Sequence, residues 1–544
     1  MWRLSTELRR PVRKYCLNTA IIHSQWSHVD QELLLKRLKH VETGYDRGLR
    51  CMEGTREFLL NKIIAWVADG SAAKNGSNTY WIYGLPGIGK TSFAHSISER
   101  LHDQKQLAGA FFCRRDDPTL NEPRNILPTL IHKLAIVFPP FRSIVAKHLR
   151  NDPNLRPESM KETFLLDLIR ALPRHPTHTL VFVIDALDET GGTFSRPGVL
   201  RALTDAAAHA PWLRIILTSR PEIDIQRFFD APTHSSHLRY DLAADEEASA
   251  DLRTFARRQF NLVAERWYLS TPWPEESLFN KAISHANGLF IFIKTVILTL
   301  EYCDDPTESL EATLQYSTNT GLNSLYTLYS RILKSQIPSS DGKVQRVIGV
   351  ILMTAPYRSL CRETIAELAG VRLNLVKKWV DDLGSLLYED EGANKAVRVR
   401  HLSIFDFFIS SECPCDYRVD RRDADIKLGT ACLETMIDQL RFNICKLEDS
   451  RVANTSIKDL QSRIEQNISD ALQYSCLHWS NHLCSTRKND DERGLEQLKK
   501  FISGRYPLFW IEVLSLMGMV STSIPSLRRV ILTWLKVSII PAWS

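Results

Sequence analysis

The chain has 544 residues, of which 44 % are hydrophobic and 24 % charged, a composition that excludes disordered and fibrous proteins. That length predicts about three or four domains, each able to bury its own core. The net charge is only +6, from 69 basic and 63 acidic side chains, and this bias is too weak to indicate a nucleic-acid partner. The 11 scattered cysteines, without a secretory signal, favour a reduced, cytoplasmic protein. No stretch reaches the roughly 18 uninterrupted apolar residues that a membrane span needs.

A glycine-rich segment at residues 84–92, GLPGIGKTS, fits the phosphate-loop pattern G-x-x-x-x-G-K-[ST]. Residues 80–83 ahead of it predict a buried strand, and the apolar residues behind it recur at helical spacing. Such a loop can turn its backbone N–H groups toward a triphosphate at the start of a helix. Lys90 is expected to neutralise the phosphates, and the Thr91 hydroxyl to coordinate Mg²⁺. The residues predicted to bind nucleotide here are Gly84, Gly87, Gly89, Lys90, Thr91 and Ser92.

An acidic segment, residues 185–189, follows the apolar run 180–184. A strand that ends in acid places its first carboxylate, Asp185, at the carboxyl edge of a parallel sheet beside the phosphate loop. A carboxylate there can hold the Mg²⁺ that bridges the phosphates. Asp188 and Glu189 lie just beyond, where one of them could orient or deprotonate an attacking water molecule.

A third polar strand tip, Thr218-Ser219-Arg220-Pro221, closes the apolar run 213–217. Pro221 would stop the strand there. An arginine at this edge could reach the γ-phosphate and distinguish ATP from ADP. The sequence therefore predicts Arg220 as a third element of the same site.

Strand and helix patterns alternate from residue 80 to residue 242, which favours a mainly parallel sheet with helices on both faces. The further predicted strands are 109–112, 180–184, 213–217 and 237–242. The predicted helices of this part are 126–138 and 163–172, with a short amphipathic helix at 30–42 and a helix capped by Thr55 ahead of the first strand.

Helical patterns dominate after residue 245. The predicted helices are 246–260, 275–286, 289–300, 322–333, 362–369, 373–386, 424–439, 456–468 and 470–483. Between 344 and 409, helices precede a strand-like hairpin at 387–399, an order typical of a winged helix. The sequence therefore predicts an α/β P-loop NTPase domain followed by a helical subdomain, a winged helix and further helices.

Two cysteines and two histidines, Cys476, His478, His482 and Cys484, have residue types found in zinc sites. All four are predicted on one helix, where the cysteine pair and the histidine pair point about 160° to 200° apart. Four ligands on opposite faces cannot converge on one ion. We therefore interpret them as helix-packing residues.

The ordered set of motifs resembles the NACHT family of signalling ATPases. More narrowly, residues 50–510 resemble the nephrocystin 3-like NACHT modules of fungal NLR-like and heterokaryon-incompatibility-type STAND proteins. The segments that carry this resemblance, besides the phosphate loop, the acidic strand end and the TSRP tip, are CMEGTREFLLNKIIAW (51–66), FFCRRDDPTLNEPRNILPTLIHKLA (111–135), GLFIFIKT (288–295), VRHLSIFDFF (399–408) and LRFNICKL (440–447). Related plant-type ATPases have proline where this chain has Phe290, so the contact made by that proline is not expected here.

The resemblance implies roles for individual residues. Lys90, Thr91, Asp185, Glu189 and Arg220 match the phosphate, magnesium, water and sensor positions of the family. The loop that contains Arg56 matches a segment near the nucleotide base. His401 matches a histidine that contacts the ADP β-phosphate and locks the resting state. The domains expected on this basis are a short helical segment (1–44), a NACHT NTPase domain (45–243), a helical subdomain (244–320), a winged-helix domain (321–418), a second helical domain (419–500) and a helical tail (501–544).

The resemblance implies a signalling switch that binds ATP or ADP, with GTP as an alternative, together with Mg²⁺. Exchange of ADP for ATP would open the domains and permit homo-oligomerisation in an intracellular defence pathway, and weak NTPase activity would reset the switch. Signalling partners cannot be identified from the sequence. The alternative is a catalytically inactive nucleotide-binding scaffold or truncated remnant that acts through helical contacts, because the C-terminal repeats usual in this family are not expected here. A metabolic kinase or transporter ATPase is poorly supported.

Overall fold

The structure is a computed structural model that describes residues 30–69, 78–155, 160–191, 195–234, 237–245, 247–301, 303–315, 321–338, 342–392, 394–449, 451–484 and 492–530. The described residues fall into two compact units. The first unit contains the residues up to 258 together with 288–290. The second contains 259–287 and the residues from 291 onward.

A five-stranded parallel sheet forms the centre of the first unit, in the order β2-β3-β4-β1-β5. Its strands are β1 (Thr79–Tyr83), β2 (Leu107–Phe112), β3 (Leu180–Asp185), β4 (Leu213–Ser219) and β5 (Leu238–Asp241). The five predicted strands are confirmed, because near-continuous apolar runs suit strands that are buried on both faces. Strand β4 runs two residues further than predicted, so that Thr218 and Ser219 belong to the sheet.

Helices flank this sheet and complete an α/β nucleotide-binding fold. They are α1 (Glu57–Ala68), α2 (Lys90–Asp103), α3 (Ile126–Val137), α4 (Pro139–Asn151), α5 (Phe164–Arg170), α6 (Arg196–His209) and α7 (Ile223–Asp230), and α8 (Ala248–Arg266) follows. The sequence patterns did not predict α4, α6 or α7. Two of these begin with proline in the first turn, where a missing N–H costs nothing because helix starts leave those groups unpaired.

Two local predictions near the beginning of the described chain were wrong. The helix expected over 30–42 ends at residue 38, where Lys39 adopts a left-handed conformation with φ of 46°. Thr55 does not cap α1, because its hydroxyl donates to the Met52 carbonyl oxygen at 2.6 Å. Arg56 is the N-cap residue instead, with φ of 61°.

The second unit is helical apart from one hairpin. Its helices are α9 (Glu276–Ala286), α10 (Phe290–Leu300), α11 (Pro306–Gln315), α12 (Leu322–Gln336), α13 (Lys343–Thr354), α14 (Arg362–Ala369), α15 (Leu373–Asp382), α16 (Leu402–Ile409), α17 (Arg421–Gln439), α18 (Leu460–Asn467), α19 (Asp470–Leu483), α20 (Glu492–Ser503), α21 (Tyr506–Leu516) and α22 (Ser523–Val530). Strands β6 (Leu387–Glu389) and β7 (Val397–Val399) pair antiparallel. The predicted order of helices followed by a hairpin is confirmed; α11 was not predicted.

Helix α19 contains three of the four zinc-like residues, and Cys484 is its C-cap residue. Cys476 is buried. The buried His482 ring contacts the Tyr474 hydroxyl at 2.7 Å and an Asp425 carboxylate oxygen at 3.0 Å. The predicted helix is therefore confirmed, and His482 packs within a hydrogen-bonded cluster.

Among the described residues, no helix combines the length and the apolar character that crossing a membrane requires.

Candidate nucleotide-binding site

The phosphate loop connects β1 directly to α2. Gly87 and Gly89 adopt positive φ angles of 80° and 97°, which glycine reaches without the steric cost of a Cβ atom. Gly89 is the N-cap residue of α2, and the helix begins at Lys90. The chain therefore has the strand-loop-helix geometry in which a helix N-terminus and a row of backbone N–H groups can bind phosphate.

Lys90 is held inside its own loop. Its ammonium group donates to the carbonyl oxygens of Gly84 at 2.7 Å and Leu85 at 2.9 Å. The pKa of Lys90 is lowered to about 8, mainly by burial; the charge of Asp188 opposes this shift and that of Arg220 adds to it. Neutral carbonyls are weaker partners for an ammonium group than an anion is. The residue therefore has unused capacity to bind a phosphate group.

Asp185 is the last residue of β3 and is almost fully buried, with 1 % of its surface exposed. Burial raises the pKa of Asp185 to about 6, against the hydrogen bonds that its carboxylate accepts from the Thr218 and Thr91 hydroxyls and against the charge of Lys90. A carboxylate in contact with the Thr91 hydroxyl is a donor set that suits Mg²⁺, which usually combines one or two protein oxygens with phosphate oxygens and water. The residues present therefore fit the expected metal.

Asp188 is paired with the tip of the neighbouring strand. A short 3₁₀ turn, Leu187–Glu189, follows Ala186, whose φ is 53°. The Asp188 carboxylate accepts from the Arg220 backbone N–H at 2.9 Å and contacts the Arg220 Nε at 3.2 Å. This double contact holds the sensor candidate against the acidic segment.

Glu189 is half-buried beside the other acids. The pKa of Glu189 is raised to about 8, mainly by burial and next by the charge of Asp188; the Arg115 backbone N–H, which donates to its carboxylate at 3.2 Å, acts in the opposite direction. At neutral pH this side chain is therefore mainly protonated. A protonated carboxyl group cannot accept a proton from water.

The structure brings three sequence motifs to one edge of the sheet. Asp188, Arg220, Asp185 and Glu189 all influence the charge of Lys90. The strand order explains this, because β4 lies between β1 and β3, so the carboxyl ends of all three strands meet. The proximity of these side chains follows from the structure, whereas their individual roles remain predictions.

Arg56 lies against the phosphate loop and is buried, with 3 % of its surface exposed. Its guanidinium donates to the Ile88 carbonyl oxygen at 2.9 Å and to the Asp245 carboxylate at 2.8 Å. The same group lies 5.5 Å from the centre of the Phe290 ring. The guanidinium is therefore occupied by protein groups, and the predicted place of its loop near the nucleotide base remains a prediction.

Sequence patterns did not single out Asp245 or Phe290 as parts of this site. Asp245 only marked the change from mixed to helical patterns, and Phe290 was noted as a departure from the family pattern. A buried charge is usually paired with an opposite charge. That tendency would have justified a search for a partner of Arg56, but nothing in the sequence identifies which acid it is.

His401 lies in the second unit as the N-cap residue of α16. Its Nδ1 accepts from the Ser403 backbone N–H at 3.1 Å, so the neutral ring carries its proton on Nε2. The Ser403 hydroxyl in turn contacts the Tyr329 hydroxyl at 2.9 Å. The local structure therefore fixes the ring; its predicted contact with a β-phosphate stays a prediction.

Comparisons with known proteins agree with this site. Residues 54–220 match the family model described as nephrocystin 3, N-terminal. The comparison with curated proteins found no match. Together with the loop geometry, the family match means that this part of the chain is a P-loop ATPase-like nucleotide-binding domain, and the predicted nephrocystin 3-like resemblance is confirmed for these residues.

Several solved structures are also similar. The Walker-type ATPase PABY2304 of Pyrococcus abyssi is 14 % identical, with 68 % of this chain and 99 % of that chain covered and a TM-score of 0.32. Cdc6p from Pyrobaculum aerophilum is 11 % identical, with 68 % and 97 % covered and a TM-score of 0.29. A Drosophila ORC structure with bound DNA gives 15 % identity, 70 % and 90 % coverage and a TM-score of 0.27.

Proposed function

We propose that this protein is a nucleotide-dependent signalling switch of the NACHT type, which binds ATP or ADP with Mg²⁺ and hydrolyses the nucleotide slowly. The observation that carries the proposal is the meeting of Lys90, Asp185 and the Asp188–Arg220 pair at one edge of the sheet. Nucleotide sites need a cation for the phosphates, a carboxylate for the metal and a group that senses the last phosphate.

The electrostatics of the site support a bound metal–nucleotide complex. The lowered pKa of Lys90 and the raised pKa of Asp185 both mean that the charged forms lack good partners. A phosphate group would stabilise the ammonium form of Lys90. Mg²⁺, held by Thr91 and Asp185, would stabilise the carboxylate and neutralise phosphate charge.

The protonated state of Glu189 supports slow hydrolysis. A general base works best when its pKa is close to the working pH and its carboxylate is free to accept a proton. The pKa of Glu189 is raised to about 8, so most molecules at neutral pH have an inactive base. Slow turnover suits a switch, because the lifetime of the bound state matters more than flux. The same observation also favours a scaffold that binds nucleotide without hydrolysing it.

The switching part of the proposal depends on the family resemblance and on His401. In this scheme ADP holds the nucleotide domain and the winged helix together through His401, and exchange for ATP releases them and permits self-association. The ring of His401 is held by its Nδ1 contact with the Ser403 backbone N–H, and an imidazole N–H is a donor type that can contact a phosphate. The role in an NLR-like defence pathway and the unknown signalling partners belong to the same proposal.

Nucleotide binding is the first test. A Lys90→Ala variant should bind a fluorescent ATP analogue about 100-fold more weakly than wild type, which corresponds to the loss of about two charge-assisted hydrogen bonds. The matched control is Lys147→Ala, which removes an exposed lysine from α4. Equal affinities of Lys90→Ala and wild type would overturn the nucleotide-binding proposal.

Hydrolysis and assembly are the second test. Steady-state ATPase rates of wild type and Glu189→Gln, together with light scattering in ADP and in a slowly hydrolysed ATP analogue, separate the two candidates. A switch should show a slow rate that Glu189→Gln abolishes and a larger mass with the ATP analogue. Nucleotide binding with no difference in rate and no change in mass would favour the scaffold.

A further inference from the structure

The second unit contains a cavity of about 680 Å³ that is separate from the phosphate-loop motifs. Helices α13, α14 and α17 and the segment 409–420 supply its walls. Small-molecule sites commonly have volumes of about 300 to 1,000 Å³. We refer to this space as the arginine cavity, because four arginines and one lysine line it.

The charge of the arginine cavity is strongly positive. Its lining includes Arg346, Arg418, Arg421, Arg422 and Lys427, against only the two carboxylates of Asp420 and Asp423. The net charge of the lining is thus +3 from seven charged side chains, whereas the whole chain has +6 from 132. Like charges grouped around one space repel each other, and an anion in that space removes the repulsion.

The two carboxylates are already engaged. Asp423 pairs with Lys427 at 2.7 Å. Asp420 is the N-cap residue of α17 and accepts from the Asp423 backbone N–H at 2.8 Å. Within the part of the chain that the structure describes, Arg346, Arg418 and Arg421 form no ion pair with a carboxylate. Three guanidinium groups at this cavity are therefore available to an external anion.

The floor of the arginine cavity is apolar. Its buried members are Val350, Leu368, Ala369, Val419 and Leu428. Gly349 also belongs to the floor, where a Cβ atom would lie 3.3 Å from the Ala424 side chain. An inorganic anion alone would leave the apolar floor in contact with water. A ligand with an apolar or flat body fills the space better.

We propose that the arginine cavity binds a small organic phosphate that carries at least two phosphate groups on an apolar or planar body. Guanidinium groups match phosphate oxygens in a planar, two-bond geometry, which makes arginine the preferred partner for such groups. The apolar floor receives the body, and Arg346, Arg418 and Arg421 receive the phosphates. This site acts independently of the phosphate loop and does not require the proposed switch.

Calorimetric titration of the full chain with adenosine 3′,5′-bisphosphate tests the proposal, because this probe has two separate phosphates on a planar body. We expect one site whose affinity falls about tenfold or more in Arg346→Gln and in Arg421→Gln, since each change removes charge-assisted hydrogen bonds. Arg372→Gln is the matched control, because Arg372 is exposed and does not line the cavity. The affinity of Arg372→Gln for the bisphosphate should equal that of wild type.

Two further arms distinguish the arginine cavity from the phosphate loop and from unspecific attraction. Lys90→Ala should leave the affinity for the bisphosphate unchanged, and sulfate at the same ionic strength should not displace it. Arg346→Lys should weaken binding less than Arg346→Gln, because the charge remains and the two-bond geometry is lost. Thermal unfolding of each variant, followed by circular dichroism, shows that it is folded.

Several results would overturn the proposal. These are no measurable heat with the wild-type chain, loss of binding in Lys90→Ala with no effect of the arginine variants, or equal competition by sulfate. The second of these would assign the bisphosphate to the phosphate loop and would leave the nucleotide-binding proposal standing. The two proposals therefore fail separately.

Discussion

Two polar clusters contact the phosphate loop, and they differ in how well their charges are satisfied. At the acidic edge, formed by Asp185, Asp188 and Glu189, the pKa of two of the three acids is raised, and that of the adjoining Lys90 is lowered. In the Arg56 brace, which consists of Arg56, Asp245 and the Ile88 carbonyl, both terminal guanidinium nitrogens donate to an acceptor, and the Nε has no hydrogen-bond partner among the described residues. Unsatisfied groups are expected where a ligand supplies the missing partner, and satisfied ones where the fold itself needs them.

The Arg56 brace and the acidic edge are therefore expected to have different roles. The Arg56 brace holds the backbone of the phosphate loop through Ile88, so it positions the loop without touching a phosphate. At the acidic edge, by contrast, Asp185 is kept in a weakly charged state that a bound Mg²⁺ would reverse. Variants of the brace should therefore change stability first, and variants of the edge should change pH dependence and nucleotide preference.

Removal of one brace partner should have the largest effect. Asp245→Ala removes the carboxylate at 2.8 Å from the buried Arg56 guanidinium and leaves it the more distant Asp251 carboxylate at 4.0 Å. A broken buried pair costs about 3 to 5 kcal/mol. The free energy of unfolding in urea measures this loss. Asp205→Ala, which removes an exposed aspartate from α6, is the matched control and should cost less than about 1 kcal/mol.

A double-variant cycle makes the first prediction sharper. Arg56→Ala combined with Asp245→Ala should cost less than the sum of the two single changes, because the second change removes a charge that the first left unpaired. Additive losses, or a loss in Asp245→Ala no larger than that in Asp205→Ala, would show that the pair does not stabilise the loop.

The brace also shows where sequence reasoning ends. The strands and the strand-end residues Asp185 and Arg220 could be predicted, because apolar runs and parallel strand ends follow from local patterns. The partners Arg56 and Asp245 are 189 residues apart, and no local pattern connects them. Only the strand order and the path of the chain after β5 bring them together.

Arg214 illustrates a second limit. Its run of residues, 213–217, was predicted correctly as a buried strand, although an arginine is rarely fully buried. The side chain is buried, donates to the Asp69 carbonyl oxygen, and lies 4.8 Å from the Trp66 ring centre. The surrounding apolar residues favour the strand, and the contacts with Asp69 and Trp66, which no local pattern displays, hold the Arg214 side chain, although two of its guanidinium nitrogens have no hydrogen-bond partner in the described part of the chain. The missed helices α4, α6 and α7 have the same kind of cause, since tertiary packing stabilises them: α4 and α7 pack on neighbouring helices, and α6 also packs on β4.

The second prediction concerns the acidic edge and pH. The pKa of Glu189 is raised from 4.5 to about 8 in the folded protein, so the folded state binds more protons than the unfolded state between these values. Stability from this group is present below about pH 4.5 and is lost as pH rises through the folded pKa. Glu189→Gln removes the titration. It should therefore become more stable than wild type as pH rises, by about 1 to 2 kcal/mol at pH 8 after allowance for partial exposure.

Urea unfolding of nucleotide-free wild type and Glu189→Gln at pH 5, 6.5 and 8 measures this difference. Glu53→Gln, a change at an exposed glutamate of the first unit, is the control for loss of a carboxylate and should show no pH-dependent gain. A constant difference between Glu189→Gln and wild type over this range would contradict the raised pKa, and with it the physical reason for slow hydrolysis.

The smallest expected effect distinguishes two nucleotides. Asp188 contacts the Arg220 side chain at 3.2 Å, and a third phosphate would compete with Asp188 for the same guanidinium. ATP can therefore gain a contact that ADP cannot. Arg220→Gln should lower the ratio of ATP to ADP affinity about tenfold, as measured by competition against a fluorescent nucleotide.

Asp188→Asn provides a test of opposite sign. Loss of the carboxylate removes the Asp188 contact that competes with the third phosphate for the Arg220 side chain, so the ratio of ATP to ADP affinity should rise while both affinities increase. Loss of one negative charge raises the affinity for ATP and for ADP alike, and this common gain cancels in the ratio of the two affinities. The change in the ratio therefore reports the Asp188–Arg220 contact. If the ratio of ATP to ADP affinity fell in both Arg220→Gln and Asp188→Asn, Asp188 would position Arg220 for the phosphate and would not compete with it. The acidic edge would then be preorganised, as the Arg56 brace is.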